Sequence, residues 1–103
     1  MTEAEAFYIS IAQQLPDTIQ TRMFGKPVFK KGGKAFVAFH DDAMVFKLTG
    51  EAHHEAISLD GSQLFDPSGK KRPMKEWVQV PYVHRHKWAA FAEAAMEYVR
   101  GKG

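Results

Sequence analysis

The sequence contains no cysteine. Disulfides, thiolate metal sites and cysteine nucleophiles are excluded together, and the composition suits a reducing compartment. No apolar run approaches the ~20 residues that a membrane-spanning helix needs. The opening Met-Thr-Glu-Ala-Glu has neither a basic n-region nor an apolar h-region, so no secretory leader is expected. The expected location is therefore the cytoplasm, with no membrane partner. G-x-S-x-G, G-x-G-x-x-G, P-loop and H-E-x-x-H patterns are all missing, as are internal repeats and low-complexity tracts. What is present is ordinary for a globular domain. Hydrophobic residues make up 45% and charged residues 25% of 103 positions, enough for one core in one domain, residues 1–103.

The net charge of +2 conceals alternation along the chain. Residues 1–17 carry only acids, and residues 18–34 only bases, Arg22, Lys26, Lys30, Lys31 and Lys34. Residues 35–66 set Lys47 against six acids, and residues 67–103 are basic again. Global charge thus gives little steering, and any electrostatic function must come from a local patch.

Thr2 with Glu5 three residues later is a capping-box pattern. Ala4, Phe7, Tyr8, Ile11, Ala12 and Leu15 then fall on one helical face, and Pro16 stops the helix. Thr18–Phe24 is β-favouring and extended. Val28–Lys31 and Lys34–His40 flank Gly32-Gly33, a hairpin turn. In the second of these strands Ala35, Val37 and Phe39 alternate with Phe36, Ala38 and His40. Asp41-Asp42 turns the chain into Ala43–Leu48, with Met44, Phe46 and Leu48 on one face and Val45 and Lys47 on the other. A short helix over Glu51–Ser58, a short strand over Ser62–Phe65, a turn at Asp66–Gly69 and a strand over Glu76–Val80 follow. Tyr82–Arg100 reads as a second long helix, with Trp88, Phe91, Ala92, Ala95 and Val99 as its core stripe. The fold class is α+β, a two-layer domain of order α-β-β-β-α-β-β-α: an antiparallel sheet, long terminal helices and a short middle helix.

Candidate chemistry is thin. The five histidines lack ligand spacing and read as solvated surface residues. Asp41-Asp42 suits a turn better than acid–base work. The phenylalanines at 24, 29, 36, 39, 46 and 65 read as core rather than pocket. An enzyme would need a polar site such as His40, Asp41 and Lys47 converging. No catalytic residue, cofactor or metal ligand is assigned. Two basic stretches remain, Lys26, Lys30, Lys31 and Lys34 around the first hairpin, and Lys70, Lys71, Arg72 and Lys75 in the later loop, with Trp77 beside them to stack on or anchor a partner. They read either as protection against edge-to-edge pairing or as a weak anion- or nucleic-acid-binding surface. Lys47 either snorkels or faces a pocket. Apolar residues on both faces of Lys34–His40 suggest a homodimer that covers one of them.

Arg22-Met23-Phe24-Gly25, then Phe29, Gly33-Lys34, Phe36 and Phe39, then Val45-Phe46-Lys47-Leu48, resemble the signature of the TfoX N-terminal-domain-like family (TfoX/Sxy type). Lys71–Pro81 resembles its final strand. The resemblance spans about residues 4–99. It implies an α+β fold related to the MmcQ/YjbR group. It also implies a regulatory, non-enzymatic binding module, associated in its namesakes with DNA-uptake competence. It brings no catalytic residues.

Overall fold

The apolar stripes of two helices and the alternation of four central strands meet in one layer of packing. The computed structural model describes residues 2–23, 25–66 and 74–101. The chain runs α1 (Glu3–Gln13), β1 (Thr18–Met23), β2 (Lys26–Lys31), β3 (Lys34–His40), β4 (Ala43–Lys47), α2 (Gly50–Ser58), β5 (Gln63–Phe65) and β6 (Met74–Pro81). A 3₁₀ turn over Tyr82–Lys87 leads into α3 (Trp88–Gly101). All strands join one antiparallel sheet of order β1-β2-β3-β4-β6-β5. The architecture is the α+β one expected. The segment before the first hairpin is a full edge strand, so four strands precede α2 rather than three. No helix among the described residues is long and apolar enough to cross a membrane.

The Thr2 half of the capping box forms. Thr2 Oγ1 accepts from the Glu5 N–H at 3.1 Å and donates to Asp42 Oδ1 at 3.0 Å. One hydroxyl therefore caps α1 and ties it to the β3–β4 turn, where Asp41 and Asp42 both hold positive φ (50° and 56°).

The helices cover one sheet face. Tyr8, Ile11, Phe29, Phe39, Met44, Phe46, Val78, Val80, Trp88, Phe91, Ala95 and Val99 are buried together, with Phe7 and Leu15 packed against them. Phe46 and Phe91 meet edge to face, centroids 5.6 Å apart. The other face carries a smaller buried cluster of Val28, Ala38, Val45, Phe65 and Trp77, flanked by Met23, Ala35 and Met74.

Simple alternation fails in β3. Phe29 pairs with Val37, but Lys30 pairs with Ala35, so Phe36 is an extra, unpaired residue. This is a β-bulge. It sends Phe36 to the helix side with Val37 and Phe39, and Ala35 to the other side with Ala38. Strict alternation would place both on the opposite faces. The same extra residue lets Lys31 pair with Lys34 across a two-residue Gly32-Gly33 turn, whose φ values of 58° and 80° only glycine adopts at little cost.

The last helix also differs from expectation. Residues Tyr82–Lys87 are 3₁₀ rather than α, with His84 at φ −101°, ψ 23°. The His84 ring nitrogen Nε2 bonds the Asp60 carbonyl at 2.7 Å, and the Arg85 guanidinium lies 4.6 Å from the Tyr82 ring centre. Tyr82 and Trp88 pack edge to face at 5.6 Å. These contacts accompany the tighter turn.

Two expectations follow. Phe91 is 3% exposed, so Phe91→Ala should cost about 3–5 kcal/mol in chemical denaturation through the cavity it leaves. Tyr8 is fully buried against Phe29 and Phe39, and its hydroxyl has no hydrogen-bond partner among the described residues. Burial first, and the nearby Glu5 charge second, push its phenol well above the ordinary range. The folded state holds Tyr8 neutral where the unfolded chain ionises, so stability is complete below about pH 10 and falls as pH rises beyond it. Tyr8→Phe should flatten that alkaline loss. At neutral pH it should leave stability equal or raise it by about 1 kcal/mol, because an unsatisfied hydroxyl leaves the core. Denaturation midpoints at neutral and alkaline pH check both.

Candidate functional site

Strand pairing decides which lysines meet. Lys31 ends β2 and faces Lys34 at the start of β3. Lys47 ends β4, two strands from β2, and faces Trp77 near the start of β6, where Lys75 also lies. These four lysines therefore share one end of the sheet. The carboxyl end of α3 arrives at the same place, and Arg100 in its last turn joins Lys31, Lys34, Gly32 and Val99 around a cavity of about 230 Å³. The bulge at Phe36 is what puts Lys34 on the α3 side. Without it, strict alternation would turn Lys34 to the opposite face.

The charges are partly answered. Lys31 Nζ donates to the Pro16 carbonyl at 2.8 Å and lies 3.7 Å from Asp17, which is 92% exposed. Arg100 pairs with Glu97 at 3.2 Å. Glu76 accepts from the Tyr98 hydroxyl. The carboxyl end of α3 also favours cations. Lys31 and Lys34 nonetheless face each other directly, a like-charge cross-strand pair that costs stability. Lys31, Lys34 and Arg100 lie together on the α3 side and can hold an anion whose oxygens reach more than one cation at once, whereas Lys47 and Lys75 share only the end of the sheet, Lys47 beside Trp77 on the other face.

The other expected residues are divided. Lys26 sits at the far end of β2, about 17 Å along the strand from Lys31 at ordinary strand rise, beside the turn that holds Asp41 and Asp42. Lys30 pairs with Ile19 and Ala35 and faces the side without helices. Lys75 is about three strand spacings, or 14 Å, from β2. Lys70, Lys71 and Arg72 lie outside the described residues, as does Phe24. Trp77 corrects an expectation. It is 5% exposed within the second cluster, so it supports the sheet and offers no face for stacking. Val28, Ala38 and Val45 are likewise at most 2% exposed, so β3 leaves no bare apolar face for a partner to cover. Lys47 is half-buried beside Trp77. Arg100 was not legible as a site residue, since nothing local links it to a hairpin tip some 70 residues earlier.

Among the described residues His40, Asp41 and Lys47 do not converge. His40 Nε2 lies 3.3 Å from Asp41, but Lys47 is four residues along β4 from Ala43, the partner of His40, about 14 Å away. His53 and His84 are not simply solvated. Their ring nitrogens bond the carbonyls of Lys75 and Asp60 at 2.8 and 2.7 Å. Among the described residues no group of three His, Asp or Glu side chains is placed to hold a metal ion. A second cavity of about 150 Å³ lies between α1 and α3, lined by Ile11, Gln14, Leu15, Ala89 and Glu93. Comparison with protein-family models, curated proteins and solved structures finds no match to this chain.

Lys34→Glu converts the like-charge pair opposite Lys31 into an attractive one. It should raise stability by a few tenths of a kcal/mol, up to about 1 kcal/mol, in thermal or chemical denaturation. A lower stability would show that the Lys34 ammonium is held by the fold rather than tolerated by it.

Proposed function

We propose that this chain is a non-enzymatic binding module whose basic sheet end contacts the phosphates of a nucleic acid in the cytoplasm. The observation that carries the reading is that Lys31, Lys34 and Arg100 line one cavity at an end of the sheet where Lys47 and Lys75 also stand, from elements far apart in sequence. Lysine ammoniums act as point charges that gain from counterion release and carry no base-specific pattern, so binding is sequence-tolerant. The resemblance to the TfoX N-terminal-domain-like family supports a regulatory role. Its Gly33-Lys34 and Val45–Leu48 pieces are the ones that bear Lys34 and Lys47. The same resemblance, and the lack of cysteine, support a cytoplasmic setting.

The test is fluorescence anisotropy of labelled single- and double-stranded DNA between about 50 and 200 mM salt. Affinity should be micromolar or weaker. Lys31, Lys34, Lys47, Lys75 and Arg100 together contribute at most about −4.5 to the log–log salt slope if all five release counterions. The double change Lys34→Glu with Lys75→Glu should abolish binding while the circular dichroism spectrum stays unchanged, since Lys75 is exposed and Lys34→Glu relieves the repulsion from Lys31. Reversal of Lys70, Lys71 and Arg72 to Glu in the otherwise unchanged chain should also weaken binding. Binding absent at the lowest salt, or indifferent to these changes, contradicts the proposal and favours a protein partner.

A further inference from the structure

The sheet has two edges of unequal character. β5 is three residues long, whereas β1 offers six in unbroken register with β2. Natural edges of that length are blunted by prolines, lysines, bulges or a covering element. β1 reads Thr-Ile-Gln-Thr-Arg-Met, contains neither proline nor lysine nor a bulge, and carries a single charge, Arg22, next to its last residue. Its four central residues, Ile19 to Arg22, are all exposed. Ile19 is 68% exposed, one of two large apolar side chains so exposed among the described residues.

The hairpin geometry says which backbone groups are free. The β1–β2 pairing closes at Met23 and Lys26, so two residues connect the strands. In such hairpins the closing pair is hydrogen-bonded, and bonded pairs then alternate. Met23, Thr21 and Ile19 thus spend their N–H and C=O groups on β2. Arg22, Gln20 and Thr18 turn theirs to the open edge. The partner of Arg22 is Pro27, which has no N–H to give, as this alternation requires.

We propose that the open edge of β1 pairs with the same edge of a second copy, antiparallel about Gln20, joining two six-stranded sheets into one. Faces match across the junction only if odd residues meet odd and even meet even. Centring on Gln20 satisfies this and also aligns the outward hydrogen-bonding residues, Thr18 with the partner's Arg22 and the reverse. Ile19 falls opposite the partner's Thr21. Charge supports the antiparallel sense. Asp17 lies at one end of β1, 92% exposed, and Arg22 at the other, one of its guanidinium nitrogens donating to the Gly25 carbonyl at 3.1 Å. Antiparallel pairing brings each acid next to the partner's base, twice over. Parallel pairing would set Arg22 beside the partner's Arg22.

The test is the solution mass across a concentration series, by sedimentation equilibrium or light scattering. The wild-type chain should reach twice its 11.6 kDa. Gln20→Pro removes one outward N–H, a change tolerated on an edge, and Ile19→Lys places a charge on the junction. Each should weaken dimerisation at least tenfold, while Ile19→Val should not. If Gln20→Pro unfolds, as circular dichroism would show, Ile19→Lys decides. A wild-type mass of 11.6 kDa throughout overturns the proposal, as does a dimer that survives Ile19→Lys in a folded protein.

Discussion

Phe36 is one residue more than β3 needs to pair with β2, and where that residue goes sets the rest of the sheet. Its insertion keeps Phe36, Val37 and Phe39 all facing the helices, so the apolar stripes of α1 and α3 meet a wider apolar surface than alternation would supply. It closes the hairpin at Lys31 and Lys34 over two glycines with left-handed backbones. It also rotates Lys34 onto the side where α3 ends. Core packing, turn chemistry and the position of the basic cluster therefore depend on a single register shift.

Much of the fold was legible because it is written locally. The α1 cap needs Thr2 and Glu5, the hairpin turn needs Gly32-Gly33, and the α3 stripe needs apolar residues three and four apart. Each signal lies within a few residues, and each element forms where the signal stands. The bulge was not legible, because it is a mismatch between two strands and appears in neither alone. The Tyr82–Lys87 segment has helical composition, yet the His84 contact with Asp60, 24 residues earlier, holds it in a tighter turn. Trp77 looked like an anchor beside a basic loop. It is core because β4 and β5 flank β6 and a second apolar cluster closes around it.

The candidate site was half legible. Lysines near a hairpin tip can be counted, but which of them share an end of the sheet depends on strand order. Because β6 lies beside β4, Lys47 and Lys75 come to the end where β2 and β3 turn, while Lys26 goes to the acidic end. Arg100 arrives by the length and direction of α3. The cluster keeps a repulsive Lys31–Lys34 pair whose removal the fold would welcome, the kind of local cost that functional surfaces carry. The edge of β1 is a second such cost, since a long unprotected strand invites pairing. The two features adjoin at Lys31, which pairs with Thr18 and lies beside Asp17, but one is read by salt-dependent binding and the other by solution mass.

The register of β3 against β2 tests this account most directly, read from cross-strand nuclear Overhauser contacts in solution. Backbone contacts should link Phe29 with Val37 and Lys30 with Ala35, skip Phe36, and place the Phe36 ring among α1 and α3 side chains. Contacts linking Lys30 with Phe36, with the Phe36 ring on the Trp77 side of the sheet, would contradict it.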